Sequence, residues 1–129
     1  MAFAAEVRET IKAASAHAEL APFAGAMAEE SKRLSTLTQQ MMMTMMQDRE
    51  VVGAVASSYL NLFALITLGH VWLVQLLHAM TLDADSPVRR SKLQTARFYF
   101  EHILPETAVY AARIQAGKGA MTDIDVDLL

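Results

Sequence analysis

The chain has 129 residues, a formal net charge of −3 and no cysteine. That length suits one domain able to bury a core without staples. The composition excludes disulfides and thiolate metal sites and lacks the basic footprint of a nucleic-acid binder. Apolar residues make up 53% of the chain, a surplus that predicts surface meant to be covered by another body.

Residues 2 to 19 form the first predicted helix. Phe3, Val7, Ile11, Ala14 and Ala18 recur at helical steps along one side. The alanines favour helix but contribute less burial than leucine would. Acidic residues come early and no hydrophobic run precedes them, so the opening is not read as a signal peptide.

Pro22 suits the first turn of a second helix, predicted over residues 22 to 47. Phe23, Met27, Leu34, Leu37, Met41 and Met45 share one face, and Glu30 falls on it too. Met41, Met42, Met43, Met45 and Met46 place methionine on every side of the helix end. Met fills irregular gaps in cores, but Met43 and Met46 point away from the stripe and are candidates for an interface.

From Val51 to Leu82 there is no Asp, Glu, Lys or Arg. Val52, Val55, Tyr59, Phe63, Ile66, His70, Leu73, Leu77 and Met80 recur at steps of three and four, and Leu60, Leu68, Val71 and Val74 lie opposite. A helix apolar nearly all round is either the centre of a bundle or a membrane span. Ser57, Ser58, Asn61, Thr67, His70, Gln75 and His78 interrupt the run, and no polybasic flank sets an orientation. The neighbouring segments carry stripes that need a partner, which favours a central helix in a soluble bundle, with no membrane.

Ser86 is a predicted N-cap, with Pro87 in the first turn of a last helix running to about Ala116. Its stripe is Leu93, Ala96, Phe100, Leu104, Ala108, Ala111 and Ile114, interrupted by Pro105, which predicts a kink. Gly117 is the predicted C-terminal cap. The fold expected is all-α, an up-down-up-down four-helix bundle with a long central apolar helix and a Pro-kinked last helix. Counting along the antiparallel helices puts Glu30, His70 and Arg97 at one level, which allows a buried polar layer with Glu30 and Arg97 in contact; the alternative is that each long side chain bends outward to water. Phe98 and His102 point away from the last stripe, one turn apart, and are a second candidate interface.

No catalytic constellation is visible. His70 and His78 are eight apart, and no Glu-x-x-His pair exists for a carboxylate-bridged metal site. Gly117-Lys118-Gly119 follows a helix rather than opening one, unlike a phosphate-binding loop. Asp123, Asp125 and Asp127 lack the glycine and closing glutamate of a calcium loop. No catalytic, cofactor-binding or metal residue is therefore assigned.

The run Lys92-Leu-Gln-Thr-Ala-Arg-Phe-Tyr99 and the later Leu104-Pro105, with Tyr59-Leu60, Gly69, Trp72 and Ala116-Gly117 around them, resemble the C-terminal helical domain of bacterial long-form acyl-CoA dehydrogenases. These include enzymes similar to the 3-methylthiopropanoyl-CoA dehydrogenases. The resemblance covers essentially the whole chain. It implies a cytoplasmic, homo-oligomeric parent enzyme that uses FAD and a glutamate base, both held upstream of this domain, so that Met1 is a fragment boundary and this chain alone is inactive. Its partner would be the rest of that enzyme or a second subunit. The alternatives are a free-standing helical adaptor that binds through its Met-rich end and, third, a membrane protein.

Overall fold

A computed structural model describes residues 2–129, and every regular element among them is helical. Helix α1 spans Ala2–Ser15, α2 Ala21–Gln47, α3 Glu50–Ala79, α4 Pro87–Phe98, α5 Thr107–Ala116 and the short α6 Gly119–Thr122. A 3-10 turn over Ala18–Leu20 links α1 to α2. Between α4 and α5 the chain stays helical, first as a π turn over Tyr99–Ile103 and then as a 3-10 turn over Leu104–Glu106.

The termini of these helices follow local chemistry. Pro22 sits in the first turn of α2 and Pro87 in that of α4, where a missing N–H costs nothing. Ser86 accepts the Arg89 N–H at the start of α4. Gly117 ends α5 at φ 69°, where a side chain would be strained.

Side-chain pairs give the helix directions. Thr38 meets Tyr59 across α2 and α3, and Met27 lies against Gly69, so these helices run antiparallel. Lys92 donates to Gln75, and the Tyr99 hydroxyl to the Leu65 carbonyl. The last helical stretch therefore runs against α3 as well. Thr10 with His70 and Phe3 with Phe63 place α1 parallel to α3.

The core lies where α3 meets α2, α4 and α5. Leu20, Met27, Leu62, Leu73, Leu76 and Ala96 are fully buried, with Leu37, Val55, Ile66 and Leu104 almost so. Gly69 is buried because α2 comes close: a Cβ there would lie 2.6 Å from Met27 Sδ and 3.7 Å from Leu104 Cδ1. α3 is long and apolar enough to cross a membrane by length and composition only, yet one side of it is the seam on which the core closes.

Several expectations are corrected here. The last predicted helix is divided into α4 and α5, so the four-helix count does not hold. Pro105 cannot donate to the carbonyl four residues back, and its ring crowds that turn. The wider π turn before it lets the adjacent Tyr99 and Phe100 both enter the core. Beyond it the stripe keeps its phase, with Leu104, Ala111 and Ile114 buried, but Thr107 fills the place expected of Ala108, which is exposed. The first helix stops at Ser15, leaving Ala18 exposed while Leu20 takes the core position. A further turn of small side chains would bury little, and breaking the helix brings in a leucine. Met45, expected on the α2 stripe, is 43% exposed, at the rim of a cleft that it shares with Met41, Met42 and Val52.

Candidate functional site

Of the three residues expected in a buried polar layer, only Glu30 is deeply buried, at 9% exposure. Its partner is its own neighbour along α2: Arg33 Nη1 lies 3.6 Å from Glu30 Oε1 and donates to Thr107 Oγ1 on α5 at 3.0 Å. Arg97 instead stands in solvent, its side chain 72% exposed, bonded through Nε to Glu101 at 3.0 Å. The stripe residue Ala96 turns inward, and a carboxylate one turn ahead of Arg97 gives its long side chain a partner outside. His70 is half-buried, its Nε2 2.9 Å from Thr10 Oγ1, with its ring edge-on to Phe3. The expected Glu30–Arg97 contact and shared layer are not formed.

Tyr99 is the buried polar residue that the stripe did not anticipate. Its hydroxyl donates to the Leu65 carbonyl of α3. Burial, and after it the charge of Glu30, pushes the phenol up to about 12. Both effects favour the neutral, donating form.

Beside Glu30 a cleft of about 290 Å³ opens between α2 and the π turn. Phe100, Leu104, Pro105 and Ala108 wall it on one side, with Glu29, Glu30 and Arg33 on the other. One carboxylate oxygen of Glu30, Oε2, is buried and has no hydrogen-bond partner among the described residues. A smaller apolar cleft of about 170 Å³ lies at the far end of α2, between Thr38, Met41, Met42, Met45, Val52 and Tyr59.

The candidate interface residues are all on the surface. Met43 is 69% and Met46 87% exposed. Phe98 is 56% exposed and stacks on His102 with ring centroids 5.2 Å apart. A larger apolar surface runs along the outside of α3, where Leu60, Ala64, Leu68 and Val71 are exposed. Gly53, Ala56, Ser57 and Asn61 extend it, and none of these residues carries a charge.

The glycine-flanked Lys118 is occupied as a clasp. It pairs with Asp48 in the α2–α3 turn and, at 3.0 Å, with Glu50, which holds the Asp48 carboxyl below its ordinary range. Among the described residues no three His, Asp or Glu side chains converge as metal ligands. Nor do the residues present fit a flavin dinucleotide. Its pyrophosphate wants free N–H groups at a glycine-rich helix start, whereas the loop here follows α5 and opens only the four-residue α6, and Lys118 is engaged. Neither cleft is walled on enough sides to bury such a ligand.

Residues 3–125 match a family model described as acetyl-CoA dehydrogenase C-terminal like. No curated protein matches the chain.

Proposed function

The chain belongs to the acetyl-CoA dehydrogenase C-terminal-like family, and on that premise we propose that it serves as a non-catalytic helical domain of an FAD-dependent acyl-CoA dehydrogenase. Its helices form one up-down bundle that packs against the catalytic body. The parent is a cytoplasmic, homo-oligomeric bacterial enzyme of the long form, similar to the 3-methylthiopropanoyl-CoA dehydrogenases. FAD and the proton-abstracting base belong to the catalytic body.

The observation that carries this reading is the uncharged outer face of α3. Leu60 is 68% and Leu68 51% exposed in the middle of a 30-residue helix. A contiguous apolar patch of that kind marks a surface that another body covers. Hydrophobic surface of this sort, and no catalytic group, is what a packing domain contributes.

The test is purification from the natural source with an antibody raised against the 129-residue chain. The reading expects a yellow preparation, with this sequence inside a flavoprotein chain or tightly bound to one. A colourless 14.2 kDa protein without a flavoprotein partner overturns it. That outcome favours the adaptor reading, which the exposed Met42, Met43, Met45 and Met46 support, since mobile thioether side chains adapt to varied partners.

A further inference from the structure

Among the described residues two buried side-chain oxygens lack a hydrogen-bond partner, Glu30 Oε2 and Ser31 Oγ, and the first belongs to a carboxylate. Glu30 is itself nine-tenths buried. Its nearest cation does not reach it well: Arg33 stands 3.6 Å from the other oxygen and spends one Nη1 hydrogen on Thr107. A buried carboxylate oxygen without a donor is costly, and proteins keep such groups chiefly where they serve a site.

Two further features converge on the same place. The cleft of about 290 Å³ is lined by Glu30 and Arg33 on one wall and by Phe100 and Leu104 on the other. The second wall is the π turn Tyr99–Ile103 with its following proline, and π turns recur at functional sites because they re-aim side chains at a cost in helix stability. The volume is at the small end for ligand pockets, enough for a compact group.

The charges select that group's chemistry. A cation would meet Arg33, and an anion would meet Glu29 and Glu30, so either charge has a repulsive neighbour. Glu30 offers only acceptors, and Arg33, with five N–H donors of which few are used, offers only donors. A neutral group that donates with one atom and accepts with the next satisfies both. We propose that the α2–α5 cleft binds small carboxamides, whose N–H is received by Glu30 and whose oxygen is held by Arg33, with the alkyl part against Phe100 and Leu104. Arg33 is the movable wall, its side chain 37% exposed against 11% for that of Glu30. The proposal does not depend on which face of the domain meets the catalytic body.

The experiment is an NMR titration of the uniformly ¹⁵N-labelled chain with isobutyramide, isobutyrate and isobutylammonium, which share a branched alkyl body and differ in the head group. Isobutyramide is expected to give saturable shifts centred on Glu30, Arg33, Phe100 and Thr107. The two charged probes should bind at least tenfold more weakly. Ala108→Leu fills the cleft from an exposed position without touching the charged pair, and it should weaken the amide at least tenfold while the spectrum stays dispersed. Glu30→Gln should weaken it as well. Shifts that rise linearly without saturating, tighter binding of either charged probe, or an Ala108→Leu chain that binds as the parent does would each overturn the assignment. None of these outcomes bears on family membership.

Discussion

The two sides of α3 have nearly the same chemistry and opposite fates. The inner side, with Val55, Leu62, Ile66, Leu73 and Leu76, is buried to within 2%. The outer side, with Leu60, Leu68 and Val71, is 43–68% exposed. Both are aliphatic and free of charge. Hydropathy along this helix therefore says that both sides leave water, and only the neighbours decide which is core and which is contact surface. α1, α2, α4 and α5 bring their stripes to one side, and none of them reaches the other.

The largest effect should come from the inner side. Leu73→Ala, at a fully buried position, is expected to lower the unfolding free energy by about 2–5 kcal/mol, the range for truncations that leave a cavity. Chemical denaturation of the two chains side by side measures it. A loss below about 1 kcal/mol would mean that the inner side is not the closed seam described above.

Gly69→Ala sharpens the comparison, because it adds a methyl group to the inner side instead of removing one. Alanine favours a helix over glycine by about 1 kcal/mol, and on an open face the change would stabilise. Here the new Cβ meets Met27 Sδ at 2.6 Å, within a fully buried side chain. Overpacking of this kind costs about 1–3 kcal/mol, so net destabilisation is expected. Adding Met27→Ala should recover part of the Gly69→Ala loss, and a thermodynamic cycle reads the coupling.

The same contrast shows what the sequence could reveal. The helical class, the central apolar helix and the caps at Ser86 and Gly117 were all readable from period and local chemistry. So was the outward direction of Met43, Met46 and Phe98. The count of helices was not, because Pro105 announces a break without saying how many residues the chain will spend on it. The π turn brought Tyr99 into the core beside Phe100, and Thr107 is buried in place of Ala108, while Leu104, Ala111 and Ile114 stay on the stripe. The polar layer failed because level along an axis does not fix azimuth. Glu30 found Arg33 on its own helix, and Arg97 found Glu101 on its own. The Glu30 cleft had one readable signal, a carboxylate on an apolar stripe. Its second wall depended on the π turn and could not be foreseen.

Tyr99 tests whether that π turn is tied to the inner side of α3. Tyr99→Phe removes the hydroxyl that donates to the Leu65 carbonyl and should cost about 1 kcal/mol. The unmodified chain adds a pH signature. The phenol rises from an ordinary 10.0 to about 12 on folding, so the fold favours the protonated form. Its contribution is in full below pH 10 and is lost as pH climbs toward 12. Absorbance of phenolate should show an ionisation step near pH 12 that Tyr99→Phe deletes. A step near pH 12 that persists unchanged in Tyr99→Phe, or that is absent from the unmodified chain, would break the contact.

The smallest effect is expected on the outer side of α3, and it is the one that separates core from contact surface. Leu60→Ser and Leu68→Ser change side chains that are 68% and 51% exposed, touching little within the chain. Surface substitutions away from special features stay within about ±0.5 kcal/mol, so the isolated domain should unfold as before, apart from a few tenths lost to helix propensity. If this chain packs in a parent enzyme as proposed above, the same pair there should weaken its docking, since two aliphatic contacts in a buried interface become unpaired hydroxyls. The informative result is the difference between the two settings, read by denaturation of the domain alone and by limited proteolysis at its junction in the enzyme. Equal and negligible effects in both would leave the outer side of α3 as plain solvent-facing surface. A loss above about 1 kcal/mol in the isolated domain would show that this chain already covers that side itself, through pairing with a second copy.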